Sequence, residues 1–293
     1  MPERHRIPRL LLVTDARRAR LPLLDLVAEA TAGGVDAIYL RDADGPVEDL
    51  ALLVRHVQNR IGDEVALLVN GGPETARVIG TGLHLREREP TPAAARTVLG
   101  PRVLIGRSAH SAEGAIAAAG ADFVLAGHVY PSASKPGLSP LGLAGLAAIV
   151  AAAPCPVLAI GGVTPERVAD VIQSGARGVA VIGAIVEADD PRAAANSLRT
   201  ALDRALQVRG KELCMNESSG ATDTAPTVDI IVNGKAATVP TDATVHDFLV
   251  GKRMTDAMAI VERNGEIVPR GAYATTALQA GDRLEVVHAV GGG

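Results

Sequence analysis

The chain has 293 residues, a formal net charge of −4, and 47% hydrophobic but only 2% aromatic residues. The two charge signs are interspersed with no basic stripe, which argues against nucleic acid as a partner. Its apolar runs are broken by Gly, Pro or charge well short of the ~20 residues of a membrane helix, and the apolar stretch before Asp15 is too short for a secretory signal. Cys155 and Cys214 form neither a disulfide framework nor a metal spacing, so the reducing cytoplasm is the expected compartment.

In chain order, eight short apolar runs read as strands: 10–14, 37–41, 66–70, 82–85, 103–107, 122–126, 156–160 and 178–182. Ala- and Leu-rich stretches of helical spacing lie between them, as at Leu23–Ala32, Val47–Arg60 and Ala112–Ala119. Thr164-Pro165-Glu166 and Ser111-Ala112-Glu113 read as hydroxyl-capped helix starts, and Gly33, Gly120 and Gly175 as helix ends. Eight βα units fit a closed (β/α)₈ TIM barrel over residues 1–208 better than an open doubly wound sheet. Residues 209–226 are rich in Ser, Thr, Gly and Ala without sustained periodicity, and read as a flexible linker.

Residues 227–293 change texture again. Thr227–Val232 alternates as a strand, Asn233-Gly234 makes a hairpin turn, and Lys235–Pro240 returns. Thr244 caps a short helix with Asp247 in its first turn. A strand from Ala257, an Asn264-Gly265 turn and a last strand over Asp282–Val290 complete a small ubiquitin-like β-grasp domain. Gly291-Gly292-Gly293 alone reads as a frayed end. Yet terminal glycines remove side-chain obstruction, so that a carboxylate can thread a narrow site.

The pieces Asn264-Gly265-Glu266-Ile267-Val268-Pro269-Arg270, Gly281-Asp282 and the terminal Gly-Gly resemble the ThiS sulfur-carrier family, over Val228 to Gly293. The resemblance implies a ThiF-type adenylyltransferase that uses ATP to activate the carboxylate of Gly293, behind Gly292. It also implies a thiocarboxylate that gives sulfur to a ThiG-type thiazole synthase.

In barrels, chemistry sits at the C-terminal strand ends, and phosphate often sits after strands 7 and 8. The turns Gly161-Gly162 and Ile182-Gly183 each lead into a helix and could cradle phosphate with backbone N–H groups; they could equally be tight βα turns. Arg41, Asn70, Ser108 and His128 follow or end other strands, and Lys135 sits in the loop after strand 6. Lys135 reads either as solvated or as an anion ligand, and His110 as a helix-capping or supporting group. His84 within strand 4 and His56 on a helix read as packing or solvent-facing.

From Arg9 to Leu206 the barrel resembles the thiamin phosphate synthase and TenI superfamily, through Leu40-Arg41, Asn70, Gly82–Leu85, Ile105–Ser111, Ala121–Val124, Ala159–Val163 and Gly178–Ile182. Against the synthase pattern, Gly71 and Glu89 stand where magnesium carboxylates are usual, Ala43 replaces a lysine, and Gly127-His128 replaces Gly-Pro. Ser132, Ser134 and Lys135 keep a shape both branches show. The Gly-His-Val-Tyr-Pro run resembles the TenI thiazole tautomerases, which implies His128 as acid/base and no metal. The expectation is therefore a tautomerase that aromatises a carboxythiazole phosphate, with Arg41, Asn70, Ser108 and Lys135 holding substrate, fused to a sulfur carrier, in a homo-oligomer. The alternatives are a magnesium-dependent thiamin phosphate synthase and a barrel that binds thiazole phosphate without turnover.

Overall fold

The computed structural model describes residues 7–41, 46–132, 135, 137–219, 227–252 and 259–288. It divides into two compact units, Met1–Leu213 and Cys214–Gly293.

In the first unit, β1 (Leu10–Val13), β2 (Ala37–Leu40), β3 (Ala66–Val69), β4 (Gly82–Leu85), β5 (Ile105–Ala109), β6 (Phe123–Gly127), β7 (Val157–Ile160) and β8 (Gly178–Val181) close into a barrel in sequence order. β8 pairs in parallel with β1, with Leu11 opposite Ala180, which excludes the open sheet. All eight expected strands form, their ends shifted by at most one or two residues. Around them lie α1 (Leu23–Ala32), α2 (Val47–Ile61), α3 (Pro73–Ile79), α4 (Pro92–Leu99), α5 (Ala112–Ile116), α6 (Gly142–Ala152), α7 (Val168–Gln173), α8 (Gly183–Val186) and α9 (Pro191–Ser219).

The strands read as continuous apolar runs because both faces are covered. On β1, Leu10 and Leu12 join the layer packed under the helices, whereas Leu11 and Val13 join the barrel interior. With so few aromatics, the interior is filled mainly by aliphatic side chains around Tyr39 and Phe123. Gly106 makes room there: a Cβ on it would lie 2.4 Å from Phe123 Cζ and 2.8 Å from His84 Nδ1.

Ser111 caps α5 as expected, its hydroxyl accepting from the Gly114 N–H at 3.2 Å. Thr164 does not cap. Its side chain bonds the Glu166 carboxylate instead, the Arg167 N–H goes to the Thr164 carbonyl at 3.0 Å, and Pro165–Arg167 forms a 3₁₀ turn.

The linker expected from residue 209 is also corrected, because α9 continues to Ser219. Leu206, Gln207, Lys211, Glu212, Leu213 and Met215 are good helix formers, and the single Gly210 costs only ~1 kcal/mol. Arg209 Nη1 further ties the helix down by donating to the Ile172 and Ala176 carbonyls at 3.2 and 3.0 Å. Residues 220–226 of that linker lie outside the described residues.

The second unit is the expected β-grasp. β9 (Thr227–Val232), β10 (Lys235–Pro240), α10 (Val245–Gly251), β11 (Ala259–Arg263), β12 (Glu266–Val268) and β13 (Arg283–His288) give the sheet order β10-β9-β13-β11-β12. β13 runs parallel to β9 and the other pairs are antiparallel. Asn233 and Asn264 have positive φ, as Asn-Gly hairpin turns require. Thr244 and Asp247 form a capping box on α10.

Asp282 explains the Gly281-Asp282 signature. Its carboxylate accepts from Arg263 Nε (2.7 Å), Asn264 Nδ2 (2.8 Å) and the Gln279 N–H (2.8 Å), pinning the β11–β12 turn to the entry of β13. Residues 257–258 and 289–293, at the start of one expected strand and at the carrier tail, lie outside the described residues. Among the described residues, no helix is long and apolar enough to cross a membrane.

Candidate functional site

A cavity of about 610 Å³ opens at the C-terminal ends of the barrel strands. Its wall is built from residues in and just beyond the C-terminal halves of most strands, where polar side chains leave the packed interior. Of the residues expected from sequence, Arg41, Ser108, His128, Lys135, Gly161, Gly162, Ile182 and Gly183 all line it.

Asn70 does not line it. The buried Asn70 amide, oriented to satisfy its neighbours, donates to the carbonyls of Leu40 at 3.1 Å and Arg41 at 2.6 Å. These bonds join the ends of β2 and β3, so the structure sets the side chain expected among the substrate ligands on the backbone instead.

His128 is buried at the end of β6, after a cis Gly127–His128 peptide. Its Nε2 lies 3.3 Å from the Leu138 carbonyl. A carbonyl can only accept, so the neutral ring carries its proton on Nε2 and its lone pair on Nδ1.

The loop after β7 presses closely on this histidine. A Cβ on Gly161 (φ +99°) would lie 2.3 Å from His128 Cβ, and one on Gly162 (φ +65°) 2.6 Å from the Pro131 carbonyl. The two glycines are thus required twice, by backbone conformation and by the approach of the β6 loop. Arg167 secures the same turn: its Nη1 donates to the Gly162 carbonyl at 2.6 Å, and its guanidinium stacks on Tyr130 at 4.6 Å.

Charged and hydroxyl side chains also line the cavity. Arg41 Nη2 pairs with Asp15 at 2.7 Å. Lys135 Nζ lies 3.1 Å from His110 Nε2, whose Nδ1 lies 2.8 Å from Glu87 Oε2. Ser108 Oγ meets His84 Nε2 at 2.9 Å.

His84 is the residue that sequence reasoning placed least well. It does pack inside the barrel, against Tyr39 at 4.7 Å, but it also reaches the cavity. Burial, with Arg86 adding to it, lowers its pKa to about 3, so it stays neutral. Burial likewise pushes the Tyr39 phenol up to about 12. The alternation of Leu83, His84 and Leu85, with the leucines facing the helices, is the signal that could have turned His84 inward. Arg18, Glu87, Arg167 and Glu187 also line the cavity, and no motif marks them in the sequence.

A magnesium site would need hard oxygen ligands. Gly71 offers no side chain, and Glu89 turns its carboxylate onto the Arg86 N–H at 2.5 Å, away from the cavity lining. These two positions do not fit the ion.

The comparisons with known proteins agree with the two units. The thiamine monophosphate synthase family model matches residues 10–185, and the ThiS family model matches residues 227–293. Thiamine-phosphate synthase of Mycobacterium tuberculosis is 41% identical over 214 residues, covering 67% of this chain and 96% of that protein. Thiamine-phosphate synthase of Moorella thermoacetica is 40% identical over 206 residues, covering 69% of this chain and 97% of that protein. Among solved structures, thiamine phosphate pyrophosphorylase from Pyrococcus furiosus superposes with a TM-score of 0.60 at 30% identity, covering 68% of this chain and 96% of that one.

Proposed function

The chain belongs to the thiamine monophosphate synthase family and ends in a ThiS-family domain, and on that premise we propose that its barrel is an enzyme of thiamine biosynthesis acting on a phosphorylated thiazole. The observation that carries this reading is the cavity itself. Two glycine turns, Gly161-Gly162 and Ile182-Gly183, line it together with the cationic and hydroxyl side chains of Arg41, Ser108 and Lys135. The turns suit a phosphate, and the space between suits a small heterocycle.

Descent supports the transferase best. The relatives just described carry the name thiamine-phosphate synthase across nearly their whole length, so coupling of a pyrimidine diphosphate to the thiazole phosphate is the first reading, ahead of the proton shift expected from sequence alone. In it, Arg41, Ser108 and Lys135 hold the diphosphate, and magnesium would have to be held without the two carboxylates replaced by Gly71 and Glu89.

The second reading is the tautomerase, and one observation favours it: a buried histidine, His128, beside the phosphate turn. With the phosphate on Gly161-Gly162, the thiazole ring lies next to His128. Its lone-pair nitrogen removes the ring C2 proton and the resulting imidazolium returns a proton to the exocyclic carbon. The reaction gives an aromatic ring and needs no metal.

The ThiS-family domain suits a sulfur carrier whose Gly293 carboxylate is adenylated at the expense of ATP by a ThiF-type adenylyltransferase, becomes a thiocarboxylate and supplies a ThiG-type thiazole synthase. One experiment separates the readings of the barrel. Purified protein is given the pyrimidine diphosphate and thiazole phosphate with magnesium, and separately the non-aromatic carboxythiazole phosphate with a chelator. Thiamine phosphate in the first vessel establishes the transferase, and aromatic product in the second the tautomerase. Activity in neither vessel overturns both.

A further inference from the structure

The glycine turn that opens α8 has a charged attendant on each side. A Cβ placed on Gly183 would lie 2.8 Å from Arg18 Nη2 and 2.9 Å from Glu187 Oε2. Arg18 Nε meanwhile pairs with Glu187 Oε1 at 2.7 Å, and Arg18 Nη1 lies 3.9 Å from Asp15. Both Arg18 and Glu187 line the cavity, with the Arg18 side chain only 22% exposed. A ligand oxygen in the space beside the Gly183 Cα therefore falls within reach of the guanidinium and against the carboxylate.

We infer that Arg18 is a phosphate-specificity residue and that Glu187 occupies it as an internal anion, which the phosphate of the substrate displaces. This rests on the reading of the cavity as a phosphorylated-thiazole site. The pair is not needed as a tether, because the 15–20 loop has other anchors on the same side. The Arg20 N–H donates to the Val186 carbonyl at 3.4 Å, and the Arg20 guanidinium pairs with Asp189. The N–H groups of Arg18 and Ala19 both fold back on the Asp15 carbonyl at 3.1 Å.

The exchange is favourable because a phosphate dianion carries more charge than a carboxylate and brings several acceptor oxygens. It can take the Arg18 donors more strongly than the Glu187 carboxylate does. Glu187, released at the cavity rim and 45% exposed, returns to water at little cost. A neutral hydroxyethyl thiazole has nothing with which to displace it, so the device selects the phosphorylated form.

The test is calorimetric binding of the aromatic thiazole phosphate and of the corresponding unphosphorylated alcohol to the intact chain, its Arg18→Gln variant and its Glu187→Gln variant. Arg18→Gln should weaken the phosphate by roughly 10–100-fold, the usual share of a charged hydrogen bond, and leave the alcohol unchanged. Glu187→Gln should tighten the phosphate several-fold, because the competitor is removed. Equal weakening of both ligands by Arg18→Gln, or weaker phosphate binding by Glu187→Gln, assigns the pair to holding the loop and overturns the inference. Absence of thiazole phosphate binding by the unaltered chain instead overturns the reading on which it rests. Thermal melting of each variant verifies that the barrel is folded.

Discussion

At the scale of single residues, His128 and His84 line one cavity with different surroundings. His128 donates its Nε2–H to the Leu138 carbonyl, which in the neutral ring leaves the lone pair on Nδ1, whereas burial lowers the pKa of His84 to about 3. His128→Asn is expected to cut a tautomerase rate about 10²–10⁴-fold while thiazole phosphate binding is retained. Stopped assays of the aromatic product check it, and a variant at near-full rate moves the proton transfer elsewhere. His84 makes a prediction about stability. Its folded pKa of about 3 lies below the ordinary 6.5, so between those values the unfolded chain binds the extra proton. The stabilisation is whole above pH 6.5 and declines on acidification by roughly 1.4 kcal/mol per pH unit until pH approaches 3. Denaturant titrations of the barrel at pH 7, 5.5 and 4.5 should show this slope, and His84→Leu should flatten it. The place of His128 on the cavity wall was legible because a specific run of residues surrounds it. Arg18 and Glu187 were not, because their meaning comes from meeting across 169 positions of sequence.

At the scale of elements, the barrel strands were legible because burial on both faces writes each as an uninterrupted apolar run. The β-grasp turns were legible because Asn-Gly permits the positive φ they need. Two readings failed for one physical reason, namely that a side chain found a different partner from the one its position suggests. Thr164 bonded Glu166 rather than capping, and Arg209 bonded the end of α7, where α9 continues in place of a linker. The turn after β7 gives a sharp prediction. A Cβ on Gly162 would crowd the Pro131 carbonyl and Tyr130 at a φ of +65°, so Gly162→Ala should displace the β6 loop and with it His128. The expected outcome is at least a ~10-fold loss of thiazole phosphate affinity, with a stability cost of about 1–3 kcal/mol from the strained backbone. Calorimetry and denaturant unfolding measure the two quantities. Unchanged affinity would show that the phosphate does not use this turn.

At the scale of the whole molecule, the chain joins a unit of the thiamine monophosphate synthase family to a ThiS-family unit. A carrier must present a free carboxylate, and the ThiS-family match runs to Gly293. The prediction is that, with a ThiF-type enzyme, ATP and a sulfur donor, the intact chain gains one C-terminal thiocarboxylate. Intact-mass spectrometry reads it as the replacement of one oxygen by sulfur. Deleting Gly292 and Gly293 should abolish the mass gain and leave thiazole phosphate binding by the barrel unchanged. The cavity residues all belong to Met1–Leu213, and the deleted glycines belong to the other unit. Conversely, Asp282→Ala should impair carrier loading without touching the barrel. It removes the one carboxylate that joins Arg263, Asn264 and the Gln279 N–H, and breaking a buried ion pair of this kind costs about 3 kcal/mol. A β-grasp unit has little stability to spare at that size, so the variant's tail should be loaded more slowly and its unit should melt at lower temperature than the barrel. If the intact chain never gains sulfur under conditions that load a separate ThiS-family carrier, the fused tail is not a working carrier. The fusion would then serve only to bring the barrel to the carrier's partners.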